Sequence, residues 1–440
     1  MNSTRSQGPN SITLTTPWYP TPSRPMGGSF VATQARLLSR IATDVSVIHG
    51  EEWAGGPPDV VDRIRPDLEH LVELAQRSGG LARTGTVGPL IRVPVLLSGG
   101  MDVVERAEAL VHDVSHAVGG RIESDIVHGH VGYLGGLVAA RLASPGSRVF
   151  ATEHSTGLRQ LLADPRGRDI YAEVIDRSDR LLCVSNVLRQ HVLDAIPESA
   201  DKVEVLGNPV DVDAVPRRTG PLESLRHWIF SGGLIERKGV MRALEAFIVV
   251  AGRDPAATFT LLGEGPLRAA IERRVCEAGL VDRVRLIGML SHTEALGLLR
   301  EHDLLVAPST YETFHLVIPE AIAAGIPVIA TRSGGPQEVL DGIEDRVGRL
   351  VDVSQDPEEI VGAYEDITAR LGSLDLDAGR DSLRDRFGPA TIVRRLADLY
   401  GGEVSSHQRT PVRLPRPAPP AAIVVAITER RVSAVRAEMQ

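Results

Sequence analysis

The sequence is short of several residue types, and each shortage excludes a class of protein. It has two cysteines, Cys183 and Cys276, too few for a disulfide framework or for a zinc site built from cysteines. No apolar run approaches the roughly 20 residues of a membrane-spanning helix, and the N-terminus lacks the charged-then-apolar order of a signal peptide. We therefore expect a cytoplasmic protein with no integral membrane segment.

Lysine and aromatic residues are also scarce. Only two of the 48 basic residues are lysines, Lys202 and Lys238, so a basic position in this chain is nearly always arginine. Aromatic residues make up 4% of the chain, which predicts cores built from Leu, Val, Ile and Ala. The net charge of −9 argues against broad electrostatic capture of anionic polymers, so no nucleic acid partner is expected.

The hydrophobic pattern predicts the fold class and the domains. Short β-branched runs alternate with longer helical patterns, which is typical of parallel sheets with crossover helices. The 440 residues are enough for two or three domains. We predict an α/β protein in which two doubly wound, Rossmann-like domains face each other across a cleft. The predicted segments are an N-terminal domain (1–214), a linker (215–226), a C-terminal domain (227–400) and a Pro-rich extension (401–440).

Each domain receives its own set of predicted strands. The region 50–120 breaks the pattern, because it is rich in Gly and Pro and predicts only one helix, near 102–118. Ligands of open α/β sheets bind at the carboxyl ends of the strands, so the loops after the strands are where functional residues are expected. The predicted strands are 12–15, 45–48, 125–128, 148–152, 181–185 and 203–206 in the first domain, and 228–231, 259–263, 285–288, 304–307 and 327–330 in the second.

A glycine-rich turn follows strand 228–231, and it places Lys238 at the start of a predicted helix. Free backbone N–H groups and the positive end of the helix dipole attract an anion at the same place as the ammonium group. Glycine turns are common, and a solvated Arg237–Lys238 pair is the simpler interpretation of this segment alone. The scarcity of lysine elsewhere in the chain favours an anion site.

Two carboxylates separated by seven residues follow strand 304–307. Glu312 lies in the loop after the strand and Glu320 in the next helix, where both can accept hydrogen bonds from sugar or ribose hydroxyls. A helix cap and an ordinary surface glutamate would explain either residue alone. They do not explain the pair together with the Gly-Glu-Gly-Pro turn at 263–266 and the Ser-Gly-Gly turn at 333–335 on the same predicted edge.

Taken together, these motifs resemble the retaining glycosyltransferases of family 4, which have the GT-B fold. The resemblance extends over roughly residues 10 to 400, and the glutamate pair is its specific part. It implies transfer of a sugar from a nucleoside diphosphate sugar, with a UDP-sugar as the best guess, to a hydroxyl of a small soluble or natural-product acceptor. It also implies retention at the anomeric carbon and no metal or other cofactor.

The resemblance further implies roles for individual residues. Lys238 would contact the donor diphosphate, Glu312 the transferred sugar and Glu320 the ribose hydroxyls. A histidine near the transferred sugar is matched by His154, which follows strand 148–152. The catalytic residues are thus predicted to be His154, Lys238 and Glu312. The remaining predicted donor-binding residues are Gly28, Gly263, Glu264, Phe314, His315, Leu316, Val317 and Glu320.

Two histidines, His128 and His130, stand at the end of strand 125–128. Such a pair can suggest a metal, but no third ligand follows nearby and zinc usually takes three or four protein ligands. We assign both to a structural or acceptor-binding role, together with Gly27 of the first glycine loop. The Asp-x-Asp strings at 211–213 and 375–377 lie outside a nucleotide-binding context, so no metal site is predicted.

The sequence departs from the family pattern at two positions that matter. Gly233 stands where the family usually has a second diphosphate-binding arginine, and His315 stands where it often has glycine. Either Arg237 or an arginine of the N-terminal domain substitutes, or the donor lies differently, or activity is low. The alternative is a catalytically degenerate GT-B protein that acts as a binding or partner-activating module. A GT-B epimerase or phosphorylase is a weaker option, and the sequence makes no prediction of oligomeric state.

Overall fold

The computed structural model describes residues 9–21, 26–54, 88–97 and 100–401, and these residues form two parallel sheets. The predicted extension after residue 401 lies outside the described residues, as does much of the region 50–120. Within the described ranges, no helix is both long and apolar enough to cross a membrane.

The first sheet contains seven strands, all paired in parallel. They are β1 (Ser11–Thr16), β2 (Asp44–Ala54), β3 (Leu90–Leu97), β4 (Ile126–His130), β5 (Arg148–Glu153), β6 (Arg180–Cys183) and β7 (Val203–Val205). Their spatial order is β3-β2-β1-β4-β5-β6-β7, so the direction of winding reverses between β1 and β4. This is the doubly wound topology predicted from the sequence.

Helices cover both faces of the first sheet. The helix predicted near 102–118 is present, and it begins with a capping box in which Asp102 and Glu105 bind each other's backbone N–H groups. A π-helical turn, Val131–Gly136, precedes the third helix. The helices are α1 (Ser29–Leu38), α2 (Val103–Val118), α3 (Leu137–Leu142), α4 (Leu158–Ala163), α5 (Pro165–Arg177) and α6 (Asn186–Ala195).

The second sheet contains six strands, again all parallel. They are β8 (His227–Ser231), β9 (Thr258–Leu262), β10 (Val284–Gly288), β11 (Leu304–Ala307), β12 (Val328–Thr331) and β13 (Gly348–Val351). Their order is β10-β9-β8-β11-β12-β13, with the reversal between β8 and β11. The prediction of an α/β fold with two Rossmann-like sheets is confirmed.

The helices of the second half are amphipathic where they pack on the sheet. In the helix after β8, Val240, Ala243, Leu244 and Phe247 are fully buried, as the apolar stripe in the sequence predicts. The helices are α7 (Val240–Arg253), α8 (Arg268–Glu277), α9 (His292–Leu299), α10 (Val317–Ala324), α11 (Gly335–Leu340), α12 (Glu344–Val347), α13 (Glu358–Ala369), α14 (Leu376–Phe387) and α15 (Pro389–Tyr400).

The sequence patterns missed two strands, and both lie at sheet edges. Strand β3 contains Pro94, which cannot donate to a ladder and lowers the strand signal, yet an edge strand tolerates it because only one side is paired. Strand β13 reads Gly-Arg-Leu-Val, so only its last two residues are apolar and it lacks the run of apolar residues that identifies short buried strands such as β11.

The last described helix, α15, returns to the first sheet. Its buried residues Ile392, Leu396 and Tyr400 share a hydrophobic cluster with Ile12 and Phe150 of the first sheet. The predicted domain boundaries, which group this helix with the second half, stay predictions. Because the chain crosses between the halves before β8 and again before α15, two segments connect the two sheets.

Candidate functional site at the carboxyl ends of the two sheets

The loops at the carboxyl ends of the two sheets contact each other. Thr313, in the loop after β11, donates a hydrogen bond to the carbonyl of His154, in the loop after β5, at 3.0 Å. Glu338 of α11 accepts a hydrogen bond from the backbone N–H of Asn186, the first residue of α6, at 2.7 Å. The loops that carry the predicted site residues of both halves therefore meet at one cleft, as expected for two facing doubly wound sheets, while the side chains of His128 and His130 are fully buried.

The cleft has two walls, one from each half of the chain. We use the name C-terminal wall for Arg237, Lys238, His292, Glu312, His315 and Glu320, and the name N-terminal wall for His128, His130, Glu153 and His154. In the N-terminal wall His128, His130 and Glu153 are fully buried behind His154, which is 6% exposed.

The centre of the C-terminal wall is the carboxylate of Glu312, which is 4% exposed. Its Oε1 atom lies 2.7 Å from Nζ of Lys238 and 3.1 Å from a guanidinium nitrogen of Arg237. Arg237 also donates to the carbonyl of Tyr311 at 2.7 Å, which fixes its position beside the loop. Burial raises the pKa of Glu312, but the charges of His315, Lys238 and Arg237 outweigh it and lower the pKa to about 2. The cluster thus holds an ionised carboxylate and two cations at the start of a helix.

His315 occupies an unusual backbone conformation beside this cluster. Its φ is +71°, a left-handed value, so the position where the family often has glycine is one that favours glycine sterically. The side chain is 8% exposed, and its buried Nδ1 atom has no hydrogen-bond partner among the described residues. Burial lowers the pKa of His315 to about 4, although Glu312 opposes this shift. The imidazole is therefore neutral at physiological pH.

The other predicted donor-binding residues of this loop contribute differently. The Phe314 ring packs edge-on against Phe387, with centroids 5.1 Å apart, and is buried in the core. Any ligand contact of Phe314 is therefore made by its backbone. Leu316 and Val317 are half-buried at the start of α10.

The turn after β9 lies against the turn after β8. Gly263 has a φ of +140°, and a Cβ there would lie 2.0 Å from the carbonyl oxygen of Gly232, so only glycine fits this approach. The carbonyl of Glu264 accepts a hydrogen bond from the N–H of Leu234 at 2.9 Å, while its carboxylate pairs with Arg268 at 2.7 Å. These contacts bring the backbone of the 263–266 turn close to the glycine turn that carries Lys238.

Glu320 is paired with a residue that the sequence motifs do not include. Its Oε1 atom accepts a hydrogen bond from Nε2 of His292 at 2.7 Å. This bond raises the pKa of His292, against the effects of burial and of Arg36 on α1. Nothing in the sequence signals this pair, because His292 and Glu320 stand on different helices, α9 and α10.

The N-terminal wall is a stack of buried imidazoles. His130 and His154 share a hydrogen bond of 2.9 Å between Nδ1 and Nε2, and the rings of His128 and His130 are stacked with centroids 5.0 Å apart. His128 also bonds the hydroxyls of Tyr400 at 2.5 Å and Thr152 at 2.6 Å. Burial lowers the pKa of all three histidines, in the case of His130 to about 3.

The described residues contain no group of three or more His, Cys, Asp or Glu side chains suited to hold a metal ion. Both ring nitrogens of His128 bond hydroxyl groups, and Nδ1 of His130 bonds His154, while the buried Nε2 of His130 has no partner among the described residues. Whether the reaction requires a cofactor stays a prediction.

Glu153 is a buried carboxylate of this wall that sequence reasoning missed. One oxygen accepts hydrogen bonds from the backbone N–H groups of His154 and Ser155, and the other from the N–H of Gly132 and the hydroxyl of Tyr171, at 2.6 to 3.1 Å. The carboxylate therefore ties the loop after β5, which carries His154, to the π-helical turn after β4. A charged residue at the last position of a buried strand was the signal that would have identified it.

The first glycine loop supports the same wall. Gly28 has a φ of +64°, and a Cβ there would lie 2.2 Å from the carbonyl oxygen of Trp18. Gly27 directly precedes it, and Phe30 just beyond it lies with its ring centroid 4.3 Å from that of His154. The loop thus positions an aromatic ring on His154.

Gly233, the departure from the family pattern, lies in open space. A Cβ at this position would have its nearest neighbour 3.9 Å away, at the carbonyl of Glu264, and its backbone is not left-handed. The position can therefore accept a larger side chain. Arg237, four residues on, is the arginine found beside Lys238 and Glu312.

Comparison with protein-family models identifies two matches. Residues 226–369 match the model described as Glycosyl transferases group 1, and residues 79–214 match the model described as Glycosyltransferase Family 4. The first of these segments contains all six strands of the second sheet, and the other contains β3 to β7 of the first sheet.

Curated relatives are similar at modest identity. A 2-deoxystreptamine glucosyltransferase of Streptomyces kanamyceticus is 28% identical over 218 residues, 48% of this chain and 55% of the relative. A glycogen synthase of Mycobacterium tuberculosis is 28% identical over 252 residues, 55% of this chain and 58% of the relative. The chain therefore spans a little over half the length of these relatives.

Solved structures share the fold over most of the chain. The sucrose-phosphate synthase of Thermosynechococcus elongatus superposes with a TM-score of 0.67 at 19% identity, covering 89% of this chain and 98% of the other. HepE of Anabaena, solved with UDP and glucose, gives a TM-score of 0.63 at 15% identity, covering 89% and 99%. At these identities the likeness concerns the fold alone.

Proposed function

The chain belongs to the family 4 type of glycosyltransferases, and from this membership we propose that it moves a sugar from a nucleoside diphosphate sugar to an acceptor hydroxyl. We further propose a UDP-sugar as donor, retention at the anomeric carbon, and a small soluble or natural-product acceptor met in the cytoplasm. HepE, of like fold, was solved with UDP and glucose, and the name of one relative specifies the small acceptor 2-deoxystreptamine. The first fact supports the choice of a UDP-sugar as donor, and the second supports a small acceptor.

The observation that carries the proposal is the cluster of Arg237, Lys238 and Glu312. Two cations meet at one buried carboxylate, at the start of the helix after β8, where backbone N–H groups are also available to an anion. Negative charge develops on the leaving diphosphate as the glycosidic bond breaks. Cations fixed in place before the reaction stabilise such charge without reorganisation cost, and we propose that they act in place of a metal ion.

The ionisation of Glu312 supports a particular division of roles. With a pKa of about 2, this carboxylate is a weak base, and its Oε1 atom is already bound by both cations. We therefore assign it to orienting the cations and the sugar, not to a covalent intermediate. The acceptor hydroxyl would attack from the face that the diphosphate leaves, and an oxygen of the leaving phosphate would take its proton.

The decisive experiment compares the two lysines of the chain. The purified protein is screened by thermal shift against UDP-, GDP-, ADP- and dTDP-sugars, and turnover is measured with each donor that stabilises it. We expect Lys238→Met to lower turnover about 100- to 1,000-fold, as loss of one preorganised charge-stabilising group does. Lys202→Met is the matched control, because the ammonium group of Lys202 donates to the carbonyls of Ile175 and Asp176 at the end of α5, away from the cleft.

Two outcomes would contradict the proposal. Equal turnover in the Lys238→Met and Lys202→Met variants would remove Lys238 from the donor site. A wild-type protein that neither binds nor turns over any of the four donors would favour the alternative, a degenerate GT-B module that acts through a partner.

A further inference from the structure

We propose that the imidazole of His315 recognises a hydroxyl group of the transferred sugar and thereby selects the donor. The inference rests on the proposed function and deepens it, because it assigns sugar selectivity to one side chain of the C-terminal wall. Three observations support it: the backbone conformation of His315, its unpaired buried nitrogen and the charges around it.

The backbone at His315 is kept at an energetic cost. Among the described residues, only Val131 and His315 combine a side chain with a clearly left-handed φ, +66° and +71°. Left-handed conformations of residues other than glycine cost of the order of 1 kcal/mol and cluster at functional sites. The backbone at this position has a structural role, because the carbonyl of His315 accepts a hydrogen bond from the N–H of Ile318 at the start of α10. That role does not require an imidazole side chain.

The side chain itself is not satisfied by the protein. Nδ1 of His315 is buried and makes no hydrogen bond to any part of the chain that the structure describes. Buried polar atoms are nearly always paired, because an unpaired one loses its hydration without compensation. An imidazole that is more than nine-tenths buried, strained and unpaired is best explained by a partner that arrives with the ligand.

The surroundings indicate which chemical group that partner is. His315 interacts electrostatically with Glu312, Lys238 and Arg237, so it lies at the centre of the C-terminal wall. The two neighbouring cations already provide the charge that a diphosphate requires. A neutral imidazole has one donor and one acceptor nitrogen, which matches a hydroxyl group that both donates and accepts. This chemistry selects a sugar hydroxyl and not a phosphate oxygen.

The test uses two substitutions that tolerate the left-handed backbone. His315→Gly removes the side chain and relieves the strain, and His315→Asn keeps a polar group near the place of Nδ1 in a residue that also adopts this conformation. For each variant, KM and kcat are measured with the donor identified for the wild type, and the affinity for the nucleoside diphosphate alone is measured by calorimetry. Melting temperatures establish that both variants are folded.

We expect kcat/KM for the sugar donor to fall about three- to tenfold in His315→Gly, the loss expected for one neutral hydrogen bond. Affinity for the nucleoside diphosphate should stay within twofold of the wild type, and His315→Asn should recover most of the lost kcat/KM. The glycine variant should also discriminate less between donors that differ in a single hydroxyl.

Two results would overturn the inference while leaving the proposed function intact. If the affinity of His315→Gly for the nucleoside diphosphate falls by the same factor as its kcat/KM for the sugar donor, the imidazole contacts the diphosphate and not the sugar. If both variants match the wild type in every kinetic constant, the side chain has no role in donor recognition. A wild type that is itself inactive with every donor would instead overturn the proposed function, and with it this inference.

Discussion

The two walls of the cleft differ in how they hold their titratable groups. The C-terminal wall has ionised groups in pairs, with Glu312 bound by Lys238 and Arg237, and Glu320 bound by His292. The N-terminal wall has imidazoles that burial keeps neutral, and its carboxylate, Glu153, is fully used in hydrogen bonds to backbone and to Tyr171.

This difference separates the ligands that each wall suits. Paired charges that can be redistributed to a ligand suit a nucleoside diphosphate, whose own charge must be matched. The neutral ring of His154, the least buried side chain of this wall, and the Phe30 ring beside it suit an uncharged sugar ring or acceptor, whose hydroxyls need hydrogen bonds and whose faces need apolar contact. The N-terminal histidines and the His292–Glu320 pair also respond to pH with opposite signs, whereas His315, whose pKa burial lowers to about 4, responds like the N-terminal histidines.

The largest expected effect is acid destabilisation through the N-terminal wall. Burial lowers the pKa of His128, His130 and His154 below the value of about 6.5 that the unfolded chain has, so below pH 6.5 the unfolded state binds more protons. The contribution of these histidines to the free energy of unfolding is therefore fully present above pH 6.5. It decreases as the pH falls toward their pKa values in the folded state. Each histidine contributes about 1.4 kcal/mol per pH unit at most, so the loss from these three between pH 7.5 and 5.5 has an upper limit of about 4 kcal/mol.

Denaturant unfolding across this pH range measures the effect, and two substitutions calibrate it. His130→Asn should reduce the pH dependence but not abolish it, because it deletes one of several buried rings whose pKa is lowered, His315 and His302 among them. His112→Asn, at a position on α2 where the side chain is 82% exposed, is the matched surface control for the same substitution. A slope that is the same in His130→Asn and the wild type would show that the ring of His130 is not held neutral.

The second prediction concerns the His292–Glu320 pair of the C-terminal wall. The hydrogen bond to Glu320 raises the pKa of His292 above its unfolded value. The pair therefore contributes its full share to the free energy of unfolding below pH 6.5, and this contribution is lost as the pH rises through the folded-state pKa of His292. We expect His292→Ala to weaken nucleoside diphosphate binding about fivefold, of the order of one lost charge-assisted hydrogen bond at a partly exposed site. His292→Gln keeps an N–H donor without the charge. Its affinity for the nucleoside diphosphate should fall less than that of His292→Ala and should depend less on pH than that of the wild type.

Calorimetric titrations with UDP at pH 6.0 and 8.0 provide the measurement. If His292→Ala and the wild type bind equally at both pH values, then His292 does not position Glu320 for the ligand. A wild-type affinity that rises with pH would contradict the expected loss of the pair at high pH.

The smallest expected effect is at Gly233. The open space at this position allows Gly233→Arg, and a second arginine beside Lys238 should raise donor affinity no more than about threefold, since Arg237 already stands at the cluster. In an Arg237→Met background, which should itself lose about tenfold in kcat/KM, the same substitution should restore part of the loss. Equal kinetics in Arg237→Met and the wild type would mean that Arg237 does not take the place of the arginine missing at Gly233.

Particular residues show how far sequence reasoning reached. The strands, the helix at 102–118 and the stripe of α7 followed from local periodicity, and the turn that carries Lys238 followed from its glycines. Strand β3 was missed because Pro94 weakens a strand signal that an edge position tolerates. Glu153 and His292 were missed because each acts through a partner distant in sequence: Gly132, Tyr171 and Glu320.

The sequence by itself determined the two-sheet α/β architecture, the loops that carry the candidate residues and the position of the scarce lysine, because these depend on periodicity and on turn residues within a few positions. Only the tertiary structure decided that Glu312 joins Arg237, 75 residues away, that His130 bonds His154, and that α15 packs on the first sheet. Strand order and packing set these long-range contacts. Ionisation likewise depends on burial and on nearby charges, so the paired charges of one wall and the neutral imidazoles of the other exist only in the folded chain.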